Sequence, residues 1–435
     1  MADSRDITCD LLDAVLDRGA PLDIALGEHK ALAKLDPRDR ALVRRIVGAT
    51  LRNLGEIDRV IKARLNSPLS SRHSRIRNVL RMGVAELVFL ETPPHAAVDA
   101  AVRVASQYRK GALKGLVNAI LRRIDRDKTA GMPISDPENP GEANTPNWLF
   151  NRWNANYGLE TAEAIAAAHL IEAPLDITIS SRADAGDWAA QLEAEILPGG
   201  TLRRSGGGRI ADLPGFQDGQ WWIQDAAAAL PARLLGDMSG KQVIDLCAAP
   251  GGKTLQLADA GATVTAVDIT SGRLGPLRDN LKRTGLTAKI VNADGVTWRP
   301  EELADALLLD APCSATGTIR RHPDIPRRRK SKDVEAVTDL QQNLLRAAVD
   351  MVKPGGAIVF ATCSLEPEEG SAQIESLLEA GAPVTLDRLD PANWPELDGL
   401  APAAITPDGM LRTLPSHWSE RGGMDGFFAA RLIRN

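Results

Sequence analysis

Apolar residues recur three and four positions apart through the first 126 residues, at Leu11, Leu12, Val15 and Leu16, at Ala41, Leu42, Ile46 and Val47, and from Ile76 through Val79, Leu80, Val84, Leu87 and Val88. Such spacing lines one face of an α-helix, so residues 1–128 are expected to form an all-α bundle. Breaks at Gly19-Ala20-Pro21, Asp36-Pro37 and Thr92-Pro93-Pro94 divide the helices, with Asp36 and Asp99 placed to cap helix starts. Residues 129–146 read TAGMPISDPENPGEANTP, polar and rich in Pro and Gly, and are expected to be a linker. Residues 147–238 mix two periods, helical at 148–169 and 185–192 and extended at 175–180 and 196–203, as in a small α+β subdomain. From residue 241 short apolar strands (243–247, 263–268, 289–292, 306–310, 357–362) alternate with helices near 254–260, 271–284, 333–352 and 368–380. That alternation predicts a Rossmann-like α/β domain over 239–435, a mostly parallel sheet covered on both faces.

Composition agrees with several folded units. A chain of 435 residues exceeds the roughly 250–300 that one core serves, and 44% hydrophobic with 25% charged residues is ordinary for soluble domains. No apolar run approaches the roughly 18 residues of a membrane span. The opening MADSRDITCD lacks the basic start and apolar stretch of a signal peptide, so a cytoplasmic protein without membrane contact is expected. Cys9, Cys247, Cys313 and Cys363 lie too far apart in sequence for a metal-ligand motif or a disulfide framework, which leaves thiol chemistry and no metal. The net charge of −5 is unevenly spread: residues 1–128 hold 24 Lys+Arg against 16 Asp+Glu, a net +8, and 129–435 carry −13. A basic module on an acidic protein suits a polyanion partner, although a solvated helical surface would look the same.

The segment VIDLCAAPGGKT (243–254) is an apolar strand, a run of small residues and a helix start. Gly251 and Gly252 permit close backbone approach to a ligand, and amides at a helix N-terminus favour anionic groups. A phosphate-binding P-loop would need glycine where Cys247 stands, which disfavours ATP. Asp268 ends the second strand, 23 residues beyond Asp245, where doubly wound folds hold ribose hydroxyls, and Asp294 ends the third within reach of an adenine edge. A lone strand-end aspartate more often caps the next helix, but three in series at successive strand ends favour the ligand reading.

LLLDAPCSATGTIRRHPDI (307–325) and IVFATCSLEPEEG (358–370) each put a cysteine and then a serine just past a strand's carboxyl end, where open α/β sheets bind ligands. A single cysteine there would be packing. Two at matching positions argue for paired thiol function.

DLCAAPGGKT, DAPCSATG and ATCSLEPEEG, in this order, resemble the cofactor loop and the two cysteine motifs of S-adenosylmethionine-dependent RNA cytosine-C5 methyltransferases, and GMDGFFAARL (423–432) is similar to their last strand. LVRRIVGATLRNLGEID, RNVLRMGVAELVFLETPPHAAVDAAV and GLVNAILRRI resemble a NusB-type RNA-binding domain, a combination found in the bacterial small-subunit (16S) ribosomal RNA branch. The resemblance implies S-adenosyl-L-methionine bound by Cys247, Ala248, Ala249, Pro250, Gly251, Gly252, Lys253, Asp268, Arg273, Asp294 and Asp310. It assigns Cys363 as the nucleophile that adds to C6 of cytosine, Cys313 to release of the methylated adduct and Asp310 to the base at N3. The target base would have to be flipped or single-stranded.

Seven Lys+Arg against one Asp over 313–332 point to an RNA-backbone contact by Arg320, Arg321, His322, Arg327, Arg328 and Arg329, with a mobile solvated loop as the plainer alternative. Two departures from the family pattern, the basic Pro326–Arg329 and the ISSR at 179–182, bear on substrate contacts. His29, His73, His169, Trp221 and Trp222 are read as ordinary core or surface residues. A monomer acting on 16S ribosomal RNA is expected. Rival readings are a transfer-RNA methyltransferase of the same family and a non-catalytic RNA-binding assembly factor. DNA is disfavoured by Ser314, where DNA enzymes carry glutamine.

Overall fold

The computed structural model describes residues 3–135, 137–206, 208–393, 399–400 and 403–435. The chain divides into two units, one built from residues 1–171 with 321–330, the other from 172–320 with 331–435.

The first unit is helical. Its principal helices are Ser4–Leu12, Pro37–Arg52, Leu54–Lys62, Ser74–Val84, Pro94–Gln107 and Lys114–Thr129. Their apolar stripes meet in a core that includes Ile7, Leu11, Ile46, Val47, Val79, Leu80, Val98 and Leu121. Asp36 caps as the sequence suggests: its side chain accepts from the Asp39 N–H at 2.8 Å, with Pro37 in the first turn. Asp99 does not cap. Pro94 starts that helix five residues earlier, and Asp99 pairs with Arg122 at 3.5 Å.

The expected linker is only partly loose. Pro140–Asn144 is a short helix whose Asn144 Oδ1 accepts from the Glu56 N–H at 2.9 Å. Gly55 and Gly141 allow this packing, since a Cβ on either would strike backbone, of Ala143 and of Ala166–Ala167 respectively. Asp136, within that expected linker, lies outside the described residues. The helices Asn147–Tyr157 and Leu159–Ala168 also belong to the first unit, so the expected adaptor is split near residue 171.

The second unit opens with strands β1 (Leu175–Ile179), β2 (Glu195–Ile196), β3 (Leu202–Arg204) and β4 (Trp221–Ile223), an antiparallel sheet ordered β2-β3-β1-β4. Ile177, Leu192, Leu202 and Trp221 fill its core. The larger sheet holds β5 (Gln242–Leu246), β6 (Thr263–Asp268), β7 (Lys289–Asn292), β8 (Ala304–Asp310), β9 (Val352–Thr362), β10 (Val384–Asp387), β11 (Leu411–Thr413) and β12 (Phe427–Arg434). Its order is β7-β6-β5-β8-β9-β12-β10, with β11 also on β12; β5 to β9 run parallel and β12 is antiparallel to β9.

Side chains alternate between two cores. Val243, Leu308 and Val359 enter one, while Ile244, Leu246, Leu307, Leu309, Ile358 and Phe360 enter the other. A sheet buried on both faces explains why these strands read as nearly continuous apolar runs. From β5 the chain winds out through β6 and β7, then crosses to β8 and β9 on the opposite side. The carboxyl ends flanking that reversal are where doubly wound folds place ligands.

Candidate active site

β5 ends in a loop rather than running on. Cys247 takes a left-handed φ of 65°, and Gly251 has φ 108° at the start of the helix Gly252–Asp259. A side chain at Gly251 would collide with Leu277, so only glycine lets the turn pack there, while a Cβ at Gly252 would meet nothing closer than Gln224 at 3.8 Å. Residues expected to contact the cofactor instead hold the loop in this structure. Ala249 N–H donates to Asp268 Oδ2 at 3.1 Å, and Arg273 Nη2 donates to the Ala249 carbonyl at 2.6 Å. Lys253 Nζ reaches Asp310 Oδ2 at 2.7 Å, from the first turn of the helix to the end of β8. Asp294 is exposed and accepts from the Val296 N–H at 2.9 Å, closing its own turn.

Asp245, the first aspartate of the cofactor-loop motif, and Ile269 add two features to this cradle. Asp245 is completely buried; its Oδ2 accepts from Thr254 Oγ1 at 2.5 Å, while Oδ1 meets no donor among the described residues. Burial pushes its carboxyl up to about 7, opposed by the Thr254 bond and reinforced by the Asp310 and Asp268 charges. Ile269, beside Asp268, is 67% exposed and offers an apolar surface at the strand end. A bare glycine turn, an unpartnered buried carboxylate oxygen, strand-end carboxylates and an exposed aliphatic side chain fit a cationic nucleoside cofactor. The Cys247 thiol is pushed up by burial, then by Asp268 and Asp310, so it is a neutral part of the wall.

The two cysteine motifs meet. Cys313 Sγ lies 3.4 Å from Cys363 Sγ, bringing together residues 50 positions apart in sequence. The loops are stitched by Gly317 N–H donating to the Cys363 carbonyl at 3.0 Å and Gly426 N–H donating to the Gly317 carbonyl at 2.8 Å. The hydrogen bond with Cys363, and then burial, raise the Cys313 thiol well above its ordinary range. Cys313 therefore keeps its proton at neutral pH and can donate it to its neighbour's sulfur. The serines that follow the cysteines also meet, Oγ to Oγ at 3.1 Å, and both donate to buried Glu369. The sequence motif contains Glu369, but nothing local separates it from Glu366 and Glu368.

The basic segment is a correction. Arg320 is wholly buried: Nη2 donates to Asp225 Oδ2 at 2.8 Å, Nη1 to the Gly422 carbonyl at 2.6 Å, and Asp425 lies 3.7 Å away. It supports the second unit from inside and cannot touch RNA. Residues 321–330 belong to the first unit. There Arg327 donates to the Asn144 carbonyl at 2.5 Å, Arg328 Nε to the Gly19 carbonyl at 2.9 Å, and His322 pairs with Asp23 at 3.2 Å. Burial lowers the Arg327 guanidinium to about 10. These groups are committed to packing. Arg321 is exposed and Arg329 half-buried.

A mostly parallel sheet of this order, a glycine cradle ringed by strand-end carboxylates and two adjoining thiols beside it suit an S-adenosylmethionine-dependent methyltransferase. The profile of the family described as 16S rRNA methyltransferase RsmB/F matches residues 232–433, and that of the NusB family matches 2–126. The ribosomal RNA small subunit methyltransferase B of Klebsiella pneumoniae (strain 342) is 32% identical over 443 residues, covering 99% of this chain and 98% of that one. The protein of the same name from Escherichia coli O157:H7 gives the same identity and coverage. The chain belongs to the family of ribosomal RNA small subunit methyltransferase B. Among solved structures, PH0851 superposes with a TM-score of 0.78 at 24% identity over 100% of this chain and 99% of its own, a likeness of fold. A methyltransferase homolog protein from Pyrococcus horikoshii gives 0.54 at 25% identity, covering 72% of this chain and 99% of its own.

Proposed function

We propose that this methyltransferase modifies C5 of a cytosine in small-subunit (16S) ribosomal RNA through a covalent cysteine adduct at C6. The observation that carries the reading is the 3.4 Å approach of Cys313 and Cys363 beside the Lys253–Asp310 pair. The names of the relatives support the substrate, and the basic helical unit supports a polyanion partner.

C5 of cytosine is a weak nucleophile, so one difficult step is divided into two. The Cys363 thiolate adds to C6, making C5 enamine-like. Asp310, oriented by Lys253, passes a proton drawn from solvent to N3 as the thiolate adds, neutralising the negative charge that develops there. S-adenosylmethionine, when bound by Cys247–Lys253, Asp268, Arg273 and Asp294, supplies an electrophilic methyl group. After methylation the C5 proton passes to a water molecule, its electron pair re-forms the C5–C6 double bond, and the C6–sulfur bond breaks with its pair returning to Cys363. Cys313, retained as a thiol, assists that departure. Within the basic segment, the exposed position of Arg321 is compatible with RNA contact.

Labelled-methyl transfer onto ribosomal RNA from cells lacking the enzyme, mapped at nucleotide resolution, tests the reading. One 5-methylcytosine in 16S RNA is expected. Methylation at an exocyclic nitrogen, or of transfer RNA in preference to 16S RNA, would overturn it.

A further inference from the structure

Glu369 is fully buried, and no step assigned to the thiols or the cofactor uses it. Its Oε1 accepts from the Ser314 N–H at 2.7 Å and from Gln341 Nε2 at 3.4 Å. Its Oε2 accepts from the hydroxyls of both Ser314 and Ser364. Each serine directly follows a cysteine, so one carboxylate ties together the residues next to Cys313 and Cys363. Gln341, on the helix Ser331–Asp350, braces the same loop by donating to the Pro312 carbonyl at 2.8 Å, and Thr362 Oγ1 donates to the Glu369 carbonyl at 2.9 Å.

The donors on Glu369 are amides and hydroxyls. Taking a carboxylate out of water costs several kcal/mol, and a hydrophobic side chain of similar volume would pack two loops at less cost. What it could not do is accept from both serines and the Ser314 amide at once, which sets the two loops in a single register. That register matters because Cys313 must reach the Cys363 sulfur while that sulfur is bonded to C6, and a misplacement of about 1 Å can cost about a hundredfold in rate.

We propose that Glu369 is a positioning residue that, by bridging Ser314 and Ser364, holds the Cys313 and Cys363 thiols at the separation their shared reaction requires. The proposal rests on the two-cysteine chemistry above and adds the device that sets its geometry.

The test uses the full chain with Glu369→Ala, Glu369→Gln and Ser364→Ala, each checked by thermal unfolding. Glu369→Ala is expected to lower kcat for methyl transfer by about tenfold to a hundredfold. KM for S-adenosylmethionine should stay within about twofold, because the side-chain partners of Glu369 are Ser314, Ser364 and Gln341 and not the cofactor loop. Glu369→Gln, whose carbonyl can accept from the Ser314 amide and whose amide can donate to both hydroxyls, should recover most of the loss. A role in general folding would instead show as a fall in unfolding temperature with the disulfide rate of the folded protein unchanged.

The second readout is independent of methylation. Diamide, an azo oxidant, takes one hydrogen from each thiol, is reduced to its hydrazine and leaves a Cys313–Cys363 disulfide, followed by peptide mass mapping. Disulfide formation should be about tenfold slower in Glu369→Ala than in the wild type, in line with lost register. Equal disulfide rates and equal kcat would overturn the proposal. Should Cys363→Ala retain activity, the two-cysteine chemistry fails, and the disulfide rate alone still decides whether Glu369 positions the thiols. Should Glu369→Ala not fold, Ser364→Ala decides: slower disulfide formation supports the bridge, and an unchanged rate overturns it.

Discussion

Lys253 Nζ lies 2.7 Å from Asp310 Oδ2 and 4.9 Å from the centre of the Phe427 ring. The ammonium is held between a carboxylate and an aromatic face, and it fixes the carboxylate at the end of β8, three residues before Cys313. Lys253→Ala and Asp310→Asn are each expected to lower kcat by about a hundredfold, the scale seen when one group that stabilises developing charge is removed. Because the two act as a unit, the double variant should lose little more than either single one. Fully additive losses in this kinetic cycle would contradict the pairing.

Asp245 makes a pH prediction. Its folded carboxyl sits at about 7 against an ordinary 3.8. Between about pH 4 and pH 7 the unfolded chain has released this proton while the folded chain keeps it, so stability falls as pH rises and the loss is complete above about 7. Asp245→Asn, which can still accept from Thr254, should abolish that contribution. Urea unfolding at pH 5 and pH 8 should show the variant gaining relative to the wild type at the higher pH; a pH-independent difference would contradict the assignment.

Arg320 is a stability prediction. Asp225 and Asp425 are buried beside it, and Asp225 also accepts from the Ala227 N–H at 2.9 Å and the Asp425 N–H at 3.1 Å. Arg320→Ala leaves two buried carboxylates facing each other and is expected to cost about 3–5 kcal/mol in urea unfolding. A loss in RNA affinity with unchanged stability would return Arg320 to the nucleic-acid surface.

Much of the architecture is legible in the sequence because its signals are local. Strand positions follow from short apolar runs, and the cofactor loop and both cysteines follow from motifs read along the chain. The four-stranded sheet is harder, since β4 has three residues and β2 two, too short for a period-2 signal. The basic segment misleads for a physical reason. Charge is visible in sequence, whereas burial depends on Asp225 and Asp425, 95 and 105 positions away from Arg320, and on Gly19, Asp23 and Asn144, which no local pattern connects to 321–330. Glu369 is hidden likewise: its partner Ser314 lies 55 positions away.

For the cofactor, Asp268→Ala is expected to weaken S-adenosylmethionine binding by about tenfold to a hundredfold, the loss of about 1.5–3 kcal/mol for hydrogen bonds to a charged group. Asp268 accepts from Ala249 N–H and Thr270 N–H, so Asp268→Asn should fall between. Calorimetry reads both. Unchanged affinity, or ATP binding in place of the methyl donor, would overturn the assignment of the loop.

The most direct test of the two-cysteine account is denaturing gel electrophoresis of each cysteine variant after incubation with 16S RNA and S-adenosylmethionine. Cys363→Ala should be inactive and leave no protein–RNA adduct, because nothing adds to C6. Cys313→Ala should methylate once and stall as an adduct that survives denaturation. An adduct trapped in Cys363→Ala instead would make Cys313 the nucleophile, and full activity without adduct in both variants would leave the 3.4 Å thiol pair as packing alone.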